Sequence, residues 1–408
     1  MTHSTNARQA PLPTLWILAM GLMVAIGPLS IDMYLPALPS MAAEFGVDVG
    51  SIAKSVPAYF VGLVFGQLFY GPFSDRVGRV KPMYLGMTIF IIASIICATT
   101  TNEYVLFAAR TLQALGACVT AVVTRAAVRD SLSPVQSARA FSLMMLVMGV
   151  APILAPTLGA AVLQVASWHM IFWFLTAYGV LNLILTKVFL KETLAPENRN
   201  TRPVRETFSQ YLSLLQDKTF IIPAFSAGLL QGAFFIYLSI SSELFMVNYG
   251  LSEQQFAIVF GANAFGFMAL IQVNQFLTKK FRLVQLLRFG ASMQLVFAVC
   301  LLGLGMIFGK QANFWLVFAS IFLCIAGLGF TQPNAAAIAL AFQKKRAGMA
   351  SALQGALQFS VGIFGGLLIS LVDVNAVAKL GTIITILVAM GTFLVYRLDP
   401  TLDLSKMD

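Results

Sequence analysis

Charge is the scarcest property of this sequence. Asp, Glu, Lys and Arg make up only 10% of its 408 residues, where a soluble domain carries roughly 25%. A soluble chain of this length also outgrows a single core, which stops growing near about 250–300 residues, and needs polar surface around each. That surface is missing, so a water-soluble protein is excluded. Cysteine and histidine are rarer still, four and two. Cys97, Cys118, Cys300 and Cys324 each fall inside an apolar run without C-x-x-C or metal spacing, and read as small packing residues. His3 and His169 are isolated. No metal site and no catalytic constellation is expected, so a transporter fits better than a non-transport class such as a membrane enzyme or receptor. G-x-x-x-x-G-K-[ST] is also absent, which excludes an ATP-driven pump on this chain. No cofactor is expected.

What is present is apolar. Hydrophobic residues make up 59% and the mean hydropathy is +0.84. A membrane-spanning helix needs about 20 mostly apolar residues. Such runs lie near 13–37, 51–72, 82–100, 104–126, 138–163, 168–190, 219–244, 254–277, 284–308, 312–340, 348–372 and 378–397. They lack the period-2 alternation of barrel strands, and lipid offers backbone groups no partner, so an all-α integral membrane protein follows. The first run follows Arg8 like a signal peptide, but it is too long for one and more spans come after it, so it reads as a retained first span.

The net charge of +10 would suit nucleic acid, yet the basic residues sit in short clusters between apolar runs, which is an orientation signal. With the N-terminus in the cytoplasm, all but four of the 26 Lys and Arg fall on the cytoplasmic side; Lys54, Lys310 and Lys379 lie outside and Arg110 within a span. Both termini are then cytoplasmic, and no nucleic-acid partner is expected. The longest polar stretch, 191–218, holds Pro196 and Pro203 and divides the chain into a six-helix bundle at 1–190, a cytoplasmic linker, and a second six-helix bundle at 219–408. Gly71-Pro-Phe-Ser-Asp-Arg-Val-Gly-Arg after the second span has a degraded counterpart at Asn274-Gln-Phe-Leu-Thr-Lys-Lys-Phe-Arg after the eighth. Two six-helix halves related by a parallel repeat form a transporter architecture.

Ionisable side chains inside a bilayer are expensive, about 2.5–3.5 kcal/mol each on the insertion scale, and mark function by default. Asp32 in the first span and Arg110 in the fourth are the deep ones; Glu243 and Asp373 are terminal. Arg110 lies roughly 10 Å below the outer end of its helix, a level Asp32 can share. Asp32 is the expected proton carrier, since its proton affinity responds to desolvation and to a neighbouring cation. Arg110 is its partner, and a static ion pair is the alternative. Pro152 and Pro156 are expected to interrupt the fifth helix beside small residues that allow close packing. Asp75, Arg76 and Arg79 crowd a tight loop that Gly71 and Gly78 permit. Arg125, Arg129 and Asp130, at the end of the fourth helix, are natural partners for that loop. An apolar substrate pocket would draw on Tyr59, Gln231, Phe234, Phe235 and Tyr237, and the 34 Phe and 18 Met suit broad specificity.

Together these motifs resemble the major facilitator superfamily, and more narrowly its twelve-helix drug:proton antiporters of the Bcr/CflA branch. Leu29-Ser-Ile-Asp-Met-Tyr-Leu-Pro-Ala-Leu-Pro matches the stretch where that branch places its protonatable aspartate, here Asp32. Gly71, Asp75, Arg76, Gly78 and Arg79 match the superfamily's cytoplasmic loop, which latches one conformation. Arg110 and Gln113 match the fourth-helix motif implicated in proton transfer, and Gln113 is also a candidate substrate contact. Pro156 and Gly159 match the antiporter motif of the fifth helix. Ser167-Trp-His-Met-Ile-Phe-Trp and Lys191-Glu-Thr-Leu also read like this branch. Departures are Val80 where a basic residue is usual, and Ala114, Ala155 and Ala160 in place of glycines. The level of a second acid found in some relatives is apolar here, near Val24, so one proton per cycle is expected. The resemblance implies a monomeric multidrug exporter of the bacterial inner membrane, driven by the proton gradient, with phenicol- or bicyclomycin-like compounds among its substrates. Proton-coupled transport of a small metabolite such as an amino acid is the alternative.

Overall fold

A computed structural model describes residues 14–199, 204–343, 346–372 and 374–399. His3, Arg8, Pro203 and Asp373 lie outside them. Among the described residues, twelve helical stretches are long and apolar enough to cross a membrane: Thr14–Phe45, Val49–Val77, Val80–Thr99, Glu103–Ser131, Arg139–Leu163, His169–Phe189, Lys218–Asn248, Glu253–Leu277, Leu283–Gln311, Phe314–Ala341, Ala347–Ile369 and Ala376–Tyr396. We call them the first to twelfth spans. An amphipathic linker helix, Val204–Gln216, lies between the sixth and seventh. Polar side chains start several of these helices by satisfying orphan N–H groups. Asn102 accepts from the N–H of Tyr104 and Val105 at 2.9 and 3.2 Å, and Asn313 does the same for Trp315 and Leu316.

The packing repeats between halves. In the first half the first span packs on the fifth, and the third on the fourth and sixth; in the second half the seventh packs on the eleventh, and the ninth on the tenth and twelfth. The halves meet along two seams, second span on eleventh and fifth on eighth. Small residues bring the seams close, with Gly366 against Pro57, Gly362 against Phe60 and Gly149 against Met268.

Four spans differ from the sequence expectation. The first runs on past residue 37 as a 3₁₀ turn, Leu35–Ala37, and a further helix, Leu38–Phe45. The tenth is two helices, Phe314–Ala326 and Leu328–Ala341, meeting at Gly327. The seventh ends in a π-helical turn, Glu243–Asn248, where Glu243 does not simply face water but pairs with Lys379 at 3.7 Å. Pro152 and Pro156, expected to interrupt the fifth span, instead lie inside one helix running from Pro134 to Leu163. A proline removes a single intrahelical hydrogen bond, and the bonds on either side keep the helix in register.

Candidate functional site

The straight part of the first span ends at Asp32. The cause is local: Pro36 and Pro39 lack the N–H groups that would otherwise reach the carbonyls of Asp32 and Leu35. The backbone tightens instead, and the Ala37 N–H bonds the Tyr34 carbonyl at 2.9 Å. That leaves the Met33 carbonyl facing the fifth span at Gly159, where a Cβ would run into it and lie 3.3 Å from Pro36 Cγ. The Leu35 carbonyl accepts from the Leu38 N–H and, across the two halves, from Ser242 Oγ of the seventh span at 2.6 Å. Asp32 therefore sits at a backbone discontinuity wedged between the fifth and seventh spans. It is 3% exposed, and its Oδ1 has no hydrogen-bond partner.

Arg110 is fully buried in the fourth span. Among the described residues no carboxylate lies within 4.0 Å of it, so the static ion pair with Asp32 is not formed. Its guanidinium lies between two aromatic faces, with Cζ 4.2 Å from the Tyr34 ring centroid and 4.3 Å from that of Tyr59. Phe172 of the sixth span adds a third ring at 5.9 Å. Desolvated cation–π contacts of this kind are worth about 2 kcal/mol. The cage is itself anchored: Tyr34 bonds Ser55 at 2.9 Å and Tyr59 bonds Ser30 at 2.6 Å. Arg110 Nη1 donates to Gln113 Oε1, and Gln113 Nε2 donates to Ser94 Oγ at 2.7 Å. Nε and Nη2 of Arg110 remain without acceptors. An unpaired buried cation and a carboxylate with an unpartnered oxygen in one half form a two-site arrangement for protons or charged ligands. Tyr34 and Phe172 were missed by sequence reasoning. Tyr34 lies two residues after Asp32 in a motif already singled out, and only the fold turns it toward the fourth span.

The remaining expected residues separate into four groups. Tyr59 and Gln113 belong to the arginine cage, where both are fully buried. Phe235 joins Phe60 and Phe359 in a ring cluster across the second, seventh and eleventh spans, with centroids 4.6 to 5.9 Å apart. Tyr237 is turned into its own half, accepting from Asn263 at 3.0 Å and stacking on Phe260. Phe234 and Gln231 are half-buried.

The loop between the second and third spans forms the second site. Gly78 has φ of 95°, a conformation that only glycine adopts freely. Arg79 then turns inward, its Nη1 donating to Asp75 at 2.6 Å and Ser74 at 3.0 Å and its Nε to Asp130 at 2.9 Å. Burial works against the Arg79 charge, but the bonds to Asp130 and Asp75 outweigh it and raise its pKa. Glu192, after the sixth span, accepts from the N–H groups of Arg79 and Val80 at 2.9 and 3.4 Å. Of the three partners expected at the end of the fourth span, Asp130 binds the loop; Arg125 and Arg129 do not, having no carboxylate within 4.0 Å among the described residues. Arg76 is half-buried beside the loop. A cavity of about 740 Å³ opens here, lined by Gly71, Asp75 and Arg79, by the fourth span, by the linker helix and by the start of the eleventh span. At the opposite end the halves are closed by the Ser242–Leu35 contact.

Residues 20–366 match the family profile of the Major Facilitator Superfamily. The chain belongs to that superfamily. It is 34% identical to an uncharacterized MFS-type transporter, YdgK, of Bacillus subtilis (strain 168), over 93% of this chain and 94% of that one. It is 25% identical to a bicyclomycin resistance protein homolog of Haemophilus influenzae, over 90% and 91%. It is 29% identical to the multidrug resistance protein MdtL of Escherichia coli, over 59% and 61%. Among solved structures, a bacterial homologue of the human lysosomal transporter Spinster, inward-facing and unoccupied, superposes with a TM-score of 0.71 at 14% identity, covering 94% of this chain and 97% of that one. The nucleoside transporter NupG gives 0.70 at 15%, covering 94% and 98%. This superfamily member is therefore a multi-pass membrane transporter of small molecules, with two six-helix halves.

Proposed function

We propose that this transporter is a proton-coupled antiporter that exports small drugs or toxic compounds, of the Bcr/CflA type, from the bacterial cytoplasm across the inner membrane. The Lys and Arg distribution supports a cytoplasmic linker and cytoplasmic termini, and with that orientation the 740 Å³ cavity would be the cytoplasmic entrance. The names of the bicyclomycin-resistance and multidrug-resistance relatives support the export reading. The observation that carries it is Asp32, a buried carboxylate with an unpartnered oxygen at the break in the first span. A bare carboxylate there has no donor on Oδ1, and moving an ion through a closed, dry state is costly. Protonation from outside removes the charge, so the neutral acid crosses with the rocking halves. Release of the proton inside restores a carboxylate close to the Arg110 cage. Proton and substrate then exclude each other along one pathway, which is antiport by alternating access. No cofactor takes part, and the transporter acts as a monomer.

The test uses everted vesicles carrying wild type or Asp32→Asn, energised and then given chloramphenicol, bicyclomycin and ethidium in turn. Proton release on drug addition, lost in Asp32→Asn, is the expected result. Equal proton release from the variant would remove Asp32 from the coupling. No response to any compound would favour proton-coupled transport of a metabolite.

A further inference from the structure

The cytoplasmic-end cavity carries four arginines and a single carboxylate on its walls: Arg79, Arg125, Arg129 and Arg346 against Asp75. Two of the four are already satisfied. Arg79 holds Asp75 and Asp130, and Arg346 faces Asp217 at 3.8 Å and donates to Gln343 and Ser213. Arg125 and Arg129 have no carboxylate within reach among the described residues. They are one helical turn apart on one face of the fourth span, a spacing at which like charges repel.

Ordinary explanations cover Arg129 in full but Arg125 only in part, since the positive-inside bias favours a cation there without giving its donors a partner. Arg129 is exposed and lies in the last turn of its helix, where the helix dipole and the positive-inside bias both favour a cation. Arg125 lies six residues before Ser131, about 9 Å deeper at 1.5 Å per residue, beyond the reach of the terminal dipole. It is half-buried, and among the described residues its one hydrogen-bonding contact is a long one, Nη2 to Met148 Sδ at 4.0 Å. A guanidinium offers five donors in a planar fork suited to carboxylate or phosphate. Here most of that fork is unused and it borders a cavity large enough for a drug-sized solute.

We propose that Arg125, assisted by Arg129, is an anion-recognition site, and that the transporter takes small amphiphilic solutes bearing a carboxylate, sulfonate or phosphate from the cytoplasm. An anion there relieves the repulsion between the two arginines and fills the fork of Arg125. This deepens the exporter reading and rests on it for the direction of transport, though binding itself needs no gradient.

Binding is measured by equilibrium dialysis on the full chain in phosphatidylcholine nanodiscs, with three matched probes: 2-naphthoate, 2-naphthamide and 2-naphthylmethylammonium. Naphthoate is expected to bind about tenfold or more tightly than either of the others. Arg125→Gln weakens naphthoate binding about tenfold, as expected for loss of one partner of a charge pair, and Arg125→Lys restores most of it. Thermal unfolding of each variant checks that it is folded. Equal binding of all three probes, or unchanged naphthoate affinity in folded Arg125→Gln, overturns the proposal. Nanodiscs containing phosphatidylglycerol separate the two sources of anion: unchanged naphthoate binding supports a solute site, and its abolition would make a lipid phosphate the occupant and overturn the solute assignment. Naphthoate binding is read without a proton gradient, whereas the exporter reading is tested by Asp32-dependent proton release in energised vesicles, so the two proposals fail in separate experiments.

Discussion

Ser242→Ala should shift the transporter away from the state described here. The Ser242 hydroxyl reaches 2.6 Å across the two halves to the Leu35 carbonyl, and both residues are fully buried. That carbonyl keeps its bond from the Leu38 N–H in the variant, so it is not orphaned. The loss is that of one short neutral hydrogen bond, about 1–1.5 kcal/mol. The bond exists only while this end is closed, so its whole value enters the equilibrium between the two faces. That corresponds to a roughly five- to twelvefold fall in the ratio of cytoplasm-open to outward-open protein. The assay is alkylation of a cysteine at Ala352, which lines the cavity. A membrane-impermeant maleimide is applied from the cytoplasmic side of inverted vesicles. Cys300 is the one native cysteine that is exposed, and replacing it by serine clears the background. Under conditions where labelling follows the open population, the rate should fall by the same factor wherever the cytoplasm-open state is the minor one, and an outward-facing reporter should gain. A labelling rate unchanged within error on both sides would refute the idea that this contact holds the outer end shut. A faster cytoplasmic rate would reverse its sign.

Two further consequences follow from single contacts. Gly159→Val drives a side chain into the Met33 carbonyl and Pro36, an overpacking of about 1–3 kcal/mol; thermal unfolding of the purified protein should move to lower temperature, with Gly159→Ala affected less, and unaltered melting of both would mean the spans are not in contact there. Burial pushes the Glu192 carboxyl up, but the N–H groups of Arg79, Leu194 and Val80 outweigh it and hold its pKa below the ordinary value. A depressed folded pKa stabilises above the unfolded value, about 4.3, and that contribution is lost as pH falls through the folded one. The stability gap between wild type and Glu192→Gln should thus be constant at neutral pH and close in acid, and a gap that instead widened on acidification would show the sign to be wrong.

Much of this fold was legible because lipid imposes it. Twelve apolar runs had to be helices, and their number and order could be read with boundaries off by a few residues. What composition could not give was the backbone at Asp32. Pro36 and Pro39 are plain in the sequence, but whether they end a span or bend it depends on what receives the freed carbonyls, and Gly159 and Ser242 lie 120 residues and more away. The same applies to Arg110. Depth alone suggested pairing with Asp32, whereas two tyrosine rings take the guanidinium, a solution that becomes visible only once the first, second and fourth spans are packed. Pro152 and Pro156 erred the other way: their helix-breaking tendency is real, but a helix of 30 residues, Pro134–Leu163, runs on through both. The loop was read best, because Gly78, Asp75 and Arg79 interact over short sequence distances.

The anion site and the single acid together fix how the transporter would respond to membrane potential. If one proton enters per cycle, export of a monocation moves no net charge, export of a neutral solute moves one charge inward, and export of a monoanion moves two. Each charge is worth about 2.3 kcal/mol per 100 mV, so an interior-negative potential would drive anion export with roughly twice the force it gives a neutral drug. On this reading Arg125 would do more than choose among substrates. A fixed cation at the cytoplasmic entrance would collect the class of solute whose export draws most on the potential, while Asp32 would supply the proton that makes the return step neutral. The two residues lie in neighbouring helices but would act at opposite steps, one on loading from the cytoplasm and the other on resetting from outside.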